Sequence, residues 1–434
     1  GARLDFDVLL AGGGLSLVYA PMLAAMGLRV AVADRARAGA AHREWNASRG
    51  ELEQLTVAGL ATAREIDEEL VVARYRHGIC RWHGGGTHRV RGVLDHAVDA
   101  SRLLGRARSL AESRGVTILD HTTVTAHASG RSAVSVRLAE RGGVTRDVVA
   151  SVLVDARGAS SPFASADLVC PTVGGVMEGL DVGGAPDEID PEVGEILVTT
   201  EGVEGGRQHL WEAFPGRAGE VTVYLFHYAK RDACAPGELL RLYARFFERL
   251  GRYKRGADAK LVRPTFGVIP GWSRLVPAPR APEGRVVLVG DAASRHSPLT
   301  FCGFGATLRS LVRASRLIAD AVESPGASPP TIVDDRALHR GTGALALLLA
   351  CASDARRPDE LNRLLDAAFE ALAALGQEAF AALLRDEMAL GDFLEFLRGT
   401  ARRRPAVYSE VLARLGPWNT VRWGTSLARA AVGR

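Results

Sequence analysis

Cysteine is scarce in this chain of 434 residues: Cys80, Cys170, Cys234, Cys302 and Cys351 are its five, and no two stand in C-x-x-C spacing. That spacing excludes a zinc ribbon or a thioredoxin-type motif, and an odd, scattered set suits a reducing cytoplasm. Long apolar runs are missing as well. The longest beyond the N-terminal region, residues 344–352, falls short of the ~20 residues a membrane span needs. No basic-plus-apolar leader is legible, so a cytoplasmic protein is expected, with any membrane contact made peripherally from its surface. A surplus of one charge is lacking too: Lys+Arg 54 against Asp+Glu 50 leaves +4, with the arginines scattered, so nucleic acid is not an expected partner. There is no metal-ligand spacing and no internal repeat. What is present, 47% hydrophobic and 24% charged residues, is globular and long enough for two or three domains of ~150 residues.

The N-terminal region carries the first positive signal. Residues 6–11 are a short apolar run of the kind a buried parallel strand shows, followed by Gly12, Gly13 and Gly14. Residues 15–26 then read as a helix, and residues 28–33 as a second strand ending in Asp34. This is a βαβ unit with glycines at its first turn and an acid about 20 residues on. Gly12 permits the tight turn, Gly14 lets backbone approach a pyrophosphate at the helix start, and Asp34 accepts from a ribose hydroxyl. The third glycine of that fingerprint is replaced by Leu17.

Two later strands end in comparable turns. Residues 152–155 lead into a turn containing Gly158, and residues 285–289 lead into Gly290, Asp291 and two alanines. After these come Pro298, Gly303 and Gly305, and a helical pattern over 306–322. The strand–Gly-Asp-Ala–proline–glycine–helix order resembles the second half of the FAD fingerprint in glutathione-reductase-like and hydroxylase-like flavoproteins. The resemblance implies that Asp291 meets the ribitol or pyrophosphate, and that Pro298, Gly303 and Gly305 lie along the isoalloxazine. It also implies that Arg49, on the helix after the first acid, returns to the pyrophosphate as a charge-assisted donor. FAD is therefore the expected cofactor, with NAD(P)H as a transient reductant if the chemistry is redox.

Further tracts are more specific. Glu44-Trp45-Asn46, Ser48-Arg49 and Glu51-Leu52, with segments 94–98, 194–198, 211–215 and 297–305, resemble the lycopene cyclases of the green sulfur bacterial and cyanobacterial type and their plant paralogue. Together the matched segments span nearly the whole chain. The resemblance implies an α/β fold: a Rossmann-like FAD-binding domain interleaved with an antiparallel β-sheet substrate domain, plus a C-terminal helical cap. It also implies a cavity above the flavin for an isoprenoid or other hydrophobic small molecule. The expected division is 1–105, 115–165 and 283–323 for the nucleotide domain, 166–282 for the sheet domain and 331–434 for the helices, with a linker at 325–330. Cys302 and Ser310 depart from the family pattern of glycine and histidine, which bears on the substrate more than on the fold.

Alternation along strand 211–215 puts Trp211 and Ala213 on one face, and Leu210, Glu212 and Phe214 on the other. Glu212 among apolar neighbours is expected to favour its neutral form and so to suit protonation of an alkene. Strand support through an arginine is the plainer alternative for that residue. His296, beside the flavin loop, is the second catalytic candidate. An NAD(P)H-dependent monooxygenase and a non-catalytic flavin-binding paralogue remain alternatives to the cyclase reading. In the helical region Leu361, Leu364, Leu365, Phe369 and Leu372 share helical spacing, which fits packing against the other domains. The alternative is a lipid-facing surface with Arg402, Arg403 and Arg404 at its edge.

Overall fold

The computed structural model describes residues 3–41, 44–164, 167–277, 282–294, 299–300, 302–327, 339–352 and 357–432. His296 and Pro298 lie outside them. The fold is mixed α/β, built on two large sheets and one small one. In the first, strand Phe6–Ala11 lies between Val30–Ala33 and Thr145–Asp155, parallel to both. All four residues of Val30–Ala33 and the last four of Phe6–Ala11 are buried, because helices cover one face and a β-meander the other. Thr145–Asp155 serves two partners: its first half closes the antiparallel meander with Val134–Glu140, and its second half joins the parallel strands, with Val286–Leu288 alongside. Residues Thr117–Leu119 pair parallel with Val30–Ala33 and extend the nucleotide sheet.

The second sheet is a predominantly antiparallel roof, whose longest strands are Leu168–Glu178 and Lys260–Gly271. Its other members include Val193–Val198, Leu210–Pro215 and Val221–Phe226. The hairpin His77–Arg81/Thr87–Val90 also belongs to it, pairing parallel with Val193–Val198 although it lies inside the segment expected in the nucleotide domain. A three-stranded sheet of Glu44–Ala47, His96–Asp99 and Val71–Arg74 links the two.

Each face of the roof has its own core. One carries Trp211 and Ala213 against helix Glu238–Tyr253, where Trp211 stacks on Tyr253 with ring centroids 4.8 Å apart. The other carries Leu210 and Phe214, and the C-terminal helices pack against it through Leu361, Leu364, Phe369 and Leu372. The apolar stripe of those helices is thus used in packing. Arg402, Arg403 and Arg404 are matched to Glu395, Glu370 and Glu410. Among the described residues no helix is long and apolar enough to cross a membrane.

Candidate functional site

A cavity of about 800 Å³ lies between the nucleotide sheet and the roof, near the upper end of the ~300–1,000 Å³ usual for small-molecule sites. The glycine turn forms one end. Gly12 has φ +112°, and a Cβ there would stand 2.4 Å from the Ala156 carbonyl oxygen, so only glycine lets the first strand turn against residue 156. Gly14 borders the cavity with no atom within 4 Å of its would-be Cβ. Asp34 is also at the wall, where its Oδ2 accepts from the Gly13 N–H at 2.6 Å and its Oδ1 from the Ala36 N–H at 2.7 Å. The carboxylate therefore holds the turn, and it keeps lone pairs for a further donor. Leu17 is fully buried and packs toward Gly39, which has φ +82° and no side chain to collide with it. That pairing accommodates the bulk that replaces the expected third glycine. The segment 15–26 accordingly starts as a 3₁₀ turn, Leu15–Val18, before the α-helix Tyr19–Ala25.

The turns after the other two strands complete the wall. Asp155 is fully buried and accepts from the Arg157 guanidinium at 2.7 Å and from the Ser161 hydroxyl at 2.8 Å. This lock shapes the loop that carries Gly158, φ +61°, into the cavity wall. Asp291 lies at the wall in the short turn Gly290–Ala293. The long helix Gly303–Glu323 begins there too, with Gly303, Phe304 and Thr307 lining the cavity. Trp45 packs on Phe304 with ring centroids 5.1 Å apart.

Two expected ligand residues are not in this wall. Arg49 shares a helix face with Glu53, one turn on, and its guanidinium is held by Asp67 at 2.5 Å and by Glu53 at 3.4 Å. It borders a separate groove of about 1,030 Å³. Gly305 faces the other way: a Cβ on it would sit 2.2 Å from the Glu51 carboxylate, so its bareness serves helix packing. Glu51 itself is buried, caps its own helix through Ser48 and pairs with Arg309. The Ser310 hydroxyl donates within its own helix to Ala306 O at 2.8 Å and does not border the cavity, whereas Cys302 does. Arg35 lines the cavity instead, and its only sequence signal was its place directly after Asp34.

The roof end is apolar, with Phe214, Phe226, Ile196 and Ile269 in its wall. Glu212 projects among them, opposite Tyr224 in the strand register. It stands close enough that its ionised form disfavours ionisation of Tyr228, Cys170 and Cys302. Burial is the larger cause in all three, and it pushes the Cys302 thiol up to about 12. Tyr228, neutral and buried, donates to the Leu299 carbonyl and ties roof to loop. A second acid was missed by sequence reasoning: Glu44 is buried at the cavity wall, and burial raises its carboxyl above the ordinary value, reinforced by Glu220. Its Oε2 has no hydrogen-bond partner among the described residues.

No family model and no curated protein sequence matches the chain. Solved structures do. A geranylgeranyl bacteriochlorophyll reductase-like protein from Thermoplasma acidophilum is 17% identical, with 95% of this chain and 99% of that one covered and a TM-score of 0.61. Halogenase PltM in complex with phloroglucinol and FAD is 15% identical, with coverage of 99% and 92% and a TM-score of 0.61. Aklavinone-11 hydroxylase in complex with FAD and aklavinone is 18% identical, with coverage of 88% and 71% and a TM-score of 0.55. The chain therefore has the Rossmann-like α/β fold of the FAD-dependent reductases, halogenases and hydroxylases.

Proposed function

We propose that this protein is an FAD-dependent enzyme that acts on a hydrophobic small molecule held under the roof sheet, with Glu212 as its proton-handling group. The observation that carries this reading is a single cavity with two chemically different ends: bare glycines and the carboxylates Asp34 and Asp291 at one, an apolar wall bearing Glu212 at the other. The glycine end fits a dinucleotide. Where a Cβ would point from Gly14, Gly158 and Gly303 there is open space, so backbone can approach a ligand closely. Those glycines, Gly12, Asp34 and Asp291 would hold FAD, which when bound supplies electron transfer or, once reduced, negative charge facing the substrate.

Glu212 then has a defined task. The apolar wall excludes water from an isoprenoid chain, and the carboxyl donates its proton to a terminal alkene carbon. The neighbouring double bond closes onto the tertiary cation, and the carboxylate left behind takes a proton from the adjacent carbon. The ring closes with no net oxidation. The tracts at residues 44–52 and 211–215 support a cyclase of this kind, because they resemble the lycopene cyclases. In the test, FAD-loaded protein is reduced anaerobically in heavy water and offered lycopene. Deuterium in a cyclised product without stoichiometric NAD(P)H oxidation is expected. Substrate-stimulated NAD(P)H oxidation with oxygen entering the product would replace the cyclase by a monooxygenase. Protein that neither retains nor rebinds FAD would remove both.

A further inference from the structure

A second cavity, of about 770 Å³, opens on the opposite face of the roof from the flavin-sized one. Strand alternation separates them: Ile196 and Glu212 line the first, while Glu195 and Ala213, their neighbours in sequence, line the second. The hairpin His77–Arg81/Thr87–Val90 builds one wall. Its register sets Ile79 opposite Arg89 and Arg81 opposite Thr87, which gathers His77, Arg81, Thr87 and Arg89 on one face, with Arg91 just beyond. The other wall is the loop around residues 184–190, anchored by Lys254. That ammonium is almost wholly buried and donates to the carbonyls of Pro186 at 3.1 Å and Glu188 at 2.7 Å, and to the Glu195 carboxylate at 2.7 Å. Both walls are therefore fixed in place, one by strand pairing and the other by a saturated cation.

Two of the cations in this cavity are left without an acid. Arg76 is matched to Glu192 at 2.5 Å, and Arg81 shares Glu195 with Lys254. Of the carboxylates, Glu188 is taken by Arg255, and Asp190 accepts the Glu192 N–H at 2.9 Å. Among the described residues, the guanidinium groups of Arg89 and Arg91 meet no acid, and the Thr87 hydroxyl and His77 ring have no hydrogen-bond partner. Of the five cationic side chains that line the cavity, Arg76, Arg81 and Lys254 are matched and Arg89 and Arg91 are not. The arginines are felt locally: burial, with Arg89, Arg76 and Arg91 behind it, holds the His77 imidazole below its ordinary pKa, against an opposing pull from Asp190.

We propose that this cavity binds the phosphate group of a phosphorylated small molecule, with Arg89 and Arg91 as the guanidinium clamp and Thr87 as a neutral donor. Two guanidinium groups without an acid ask for a dianion, and their planar forks match phosphate oxygens two at a time. The volume exceeds that of a free ion, so the phosphate arrives on a carrier, either a nucleotide or an isoprenoid diphosphate. The site does not depend on FAD and stands or falls apart from the cyclase reading.

Calorimetric titration of the protein, held at saturating FAD so that the nucleotide cleft cannot take the probe, tests it with inorganic diphosphate. One saturable site at low ionic strength is expected, weakening as salt rises. In the double variant Arg89→Ala/Arg91→Ala the affinity should fall at least tenfold, with the thermal midpoint unchanged because both side chains are exposed. Thr87→Glu, which adds a carboxylate at the same spot, should do likewise. ADP binding more tightly than diphosphate identifies a nucleotide carrier, and geranyl diphosphate doing so identifies an isoprenoid one; equal affinity for all three overturns the carrier. No saturable binding, or binding that survives both variants, overturns the proposal.

Discussion

Gly12 and Gly303 both border the cavity, yet the structure assigns them different reasons for being glycine, and Gly→Ala at each separates folding from binding. At Gly12 an alanine must hold φ +112° and seat a Cβ 2.4 Å from the Ala156 carbonyl oxygen. The backbone strain costs about 1–3 kcal/mol and the forced shift of backbone a further ~1–3 kcal/mol. The reduced freedom of the unfolded chain returns only ~0.4–1 kcal/mol. A net loss of about 1–6 kcal/mol follows, which lowers the midpoint of a cooperative unit by roughly 2 °C or more. At Gly303 the added methyl meets no atom within 4 Å, and the residue opens a helix of 21 residues. Alanine is the better helix former by ~0.5–1 kcal/mol, so the protein without cofactor should be as stable as wild type or slightly more so. The methyl then occupies cavity space, and FAD affinity should fall roughly tenfold, equivalent to ~1.4 kcal/mol. Thermal scans of the stripped protein, followed by flavin fluorescence titration of each variant, read the two effects separately. A Gly12→Ala protein as stable as wild type would refute the close approach to Ala156. Loss of stability in stripped Gly303→Ala would refute the open space at the helix start.

Three further outcomes are expected. Glu212→Gln keeps the shape of the cavity wall but cannot cycle a proton, so FAD binding should persist while turnover drops by ~10²–10⁴; near-normal turnover removes Glu212 from the chemistry. Lys254→Met leaves Glu195 and two carbonyls without their buried cation, a loss of about 3–5 kcal/mol, and an unchanged thermal midpoint would contradict it. His209 is held neutral by burial, reinforced by Arg245, His227 and Arg207 against Glu238, with its pKa lowered from 6.5 to about 3. Between those two values only the unfolded chain takes up the proton, so stability falls with decreasing pH, by up to ~1.4 kcal/mol per unit. His209→Gln should flatten the pH dependence of the urea midpoint between pH 6 and 4, and an unaltered slope would assign the acid sensitivity to other groups.

How far the site could be read from the sequence follows from how local each signal is. The glycine turn, Asp34 and the Gly290–Asp291 turn sit in short strand–turn units whose geometry neighbours in sequence decide, and all of them border one cavity. Alternation on strand Leu210–Pro215 separates Glu212 from Trp211 as expected, because a two-residue period survives any tertiary arrangement. What could not be read depends on partners far along the chain. Arg49 turns away because Asp67, 18 residues on, takes its guanidinium, and Gly305 faces Glu51 across a helix pair 254 positions apart in the sequence. Glu44 looked like one letter of a matched tract, and only the fold reveals it as a buried acid at the cavity wall, near Glu220. The hairpin at 77–90 is the sharpest case. Nothing local marks it, and pairing with Val193–Val198 is what turns scattered arginines into one wall of a cavity. A low net charge therefore excludes a basic stripe along the sequence but not a cluster of unmatched cations assembled by sheet pairing.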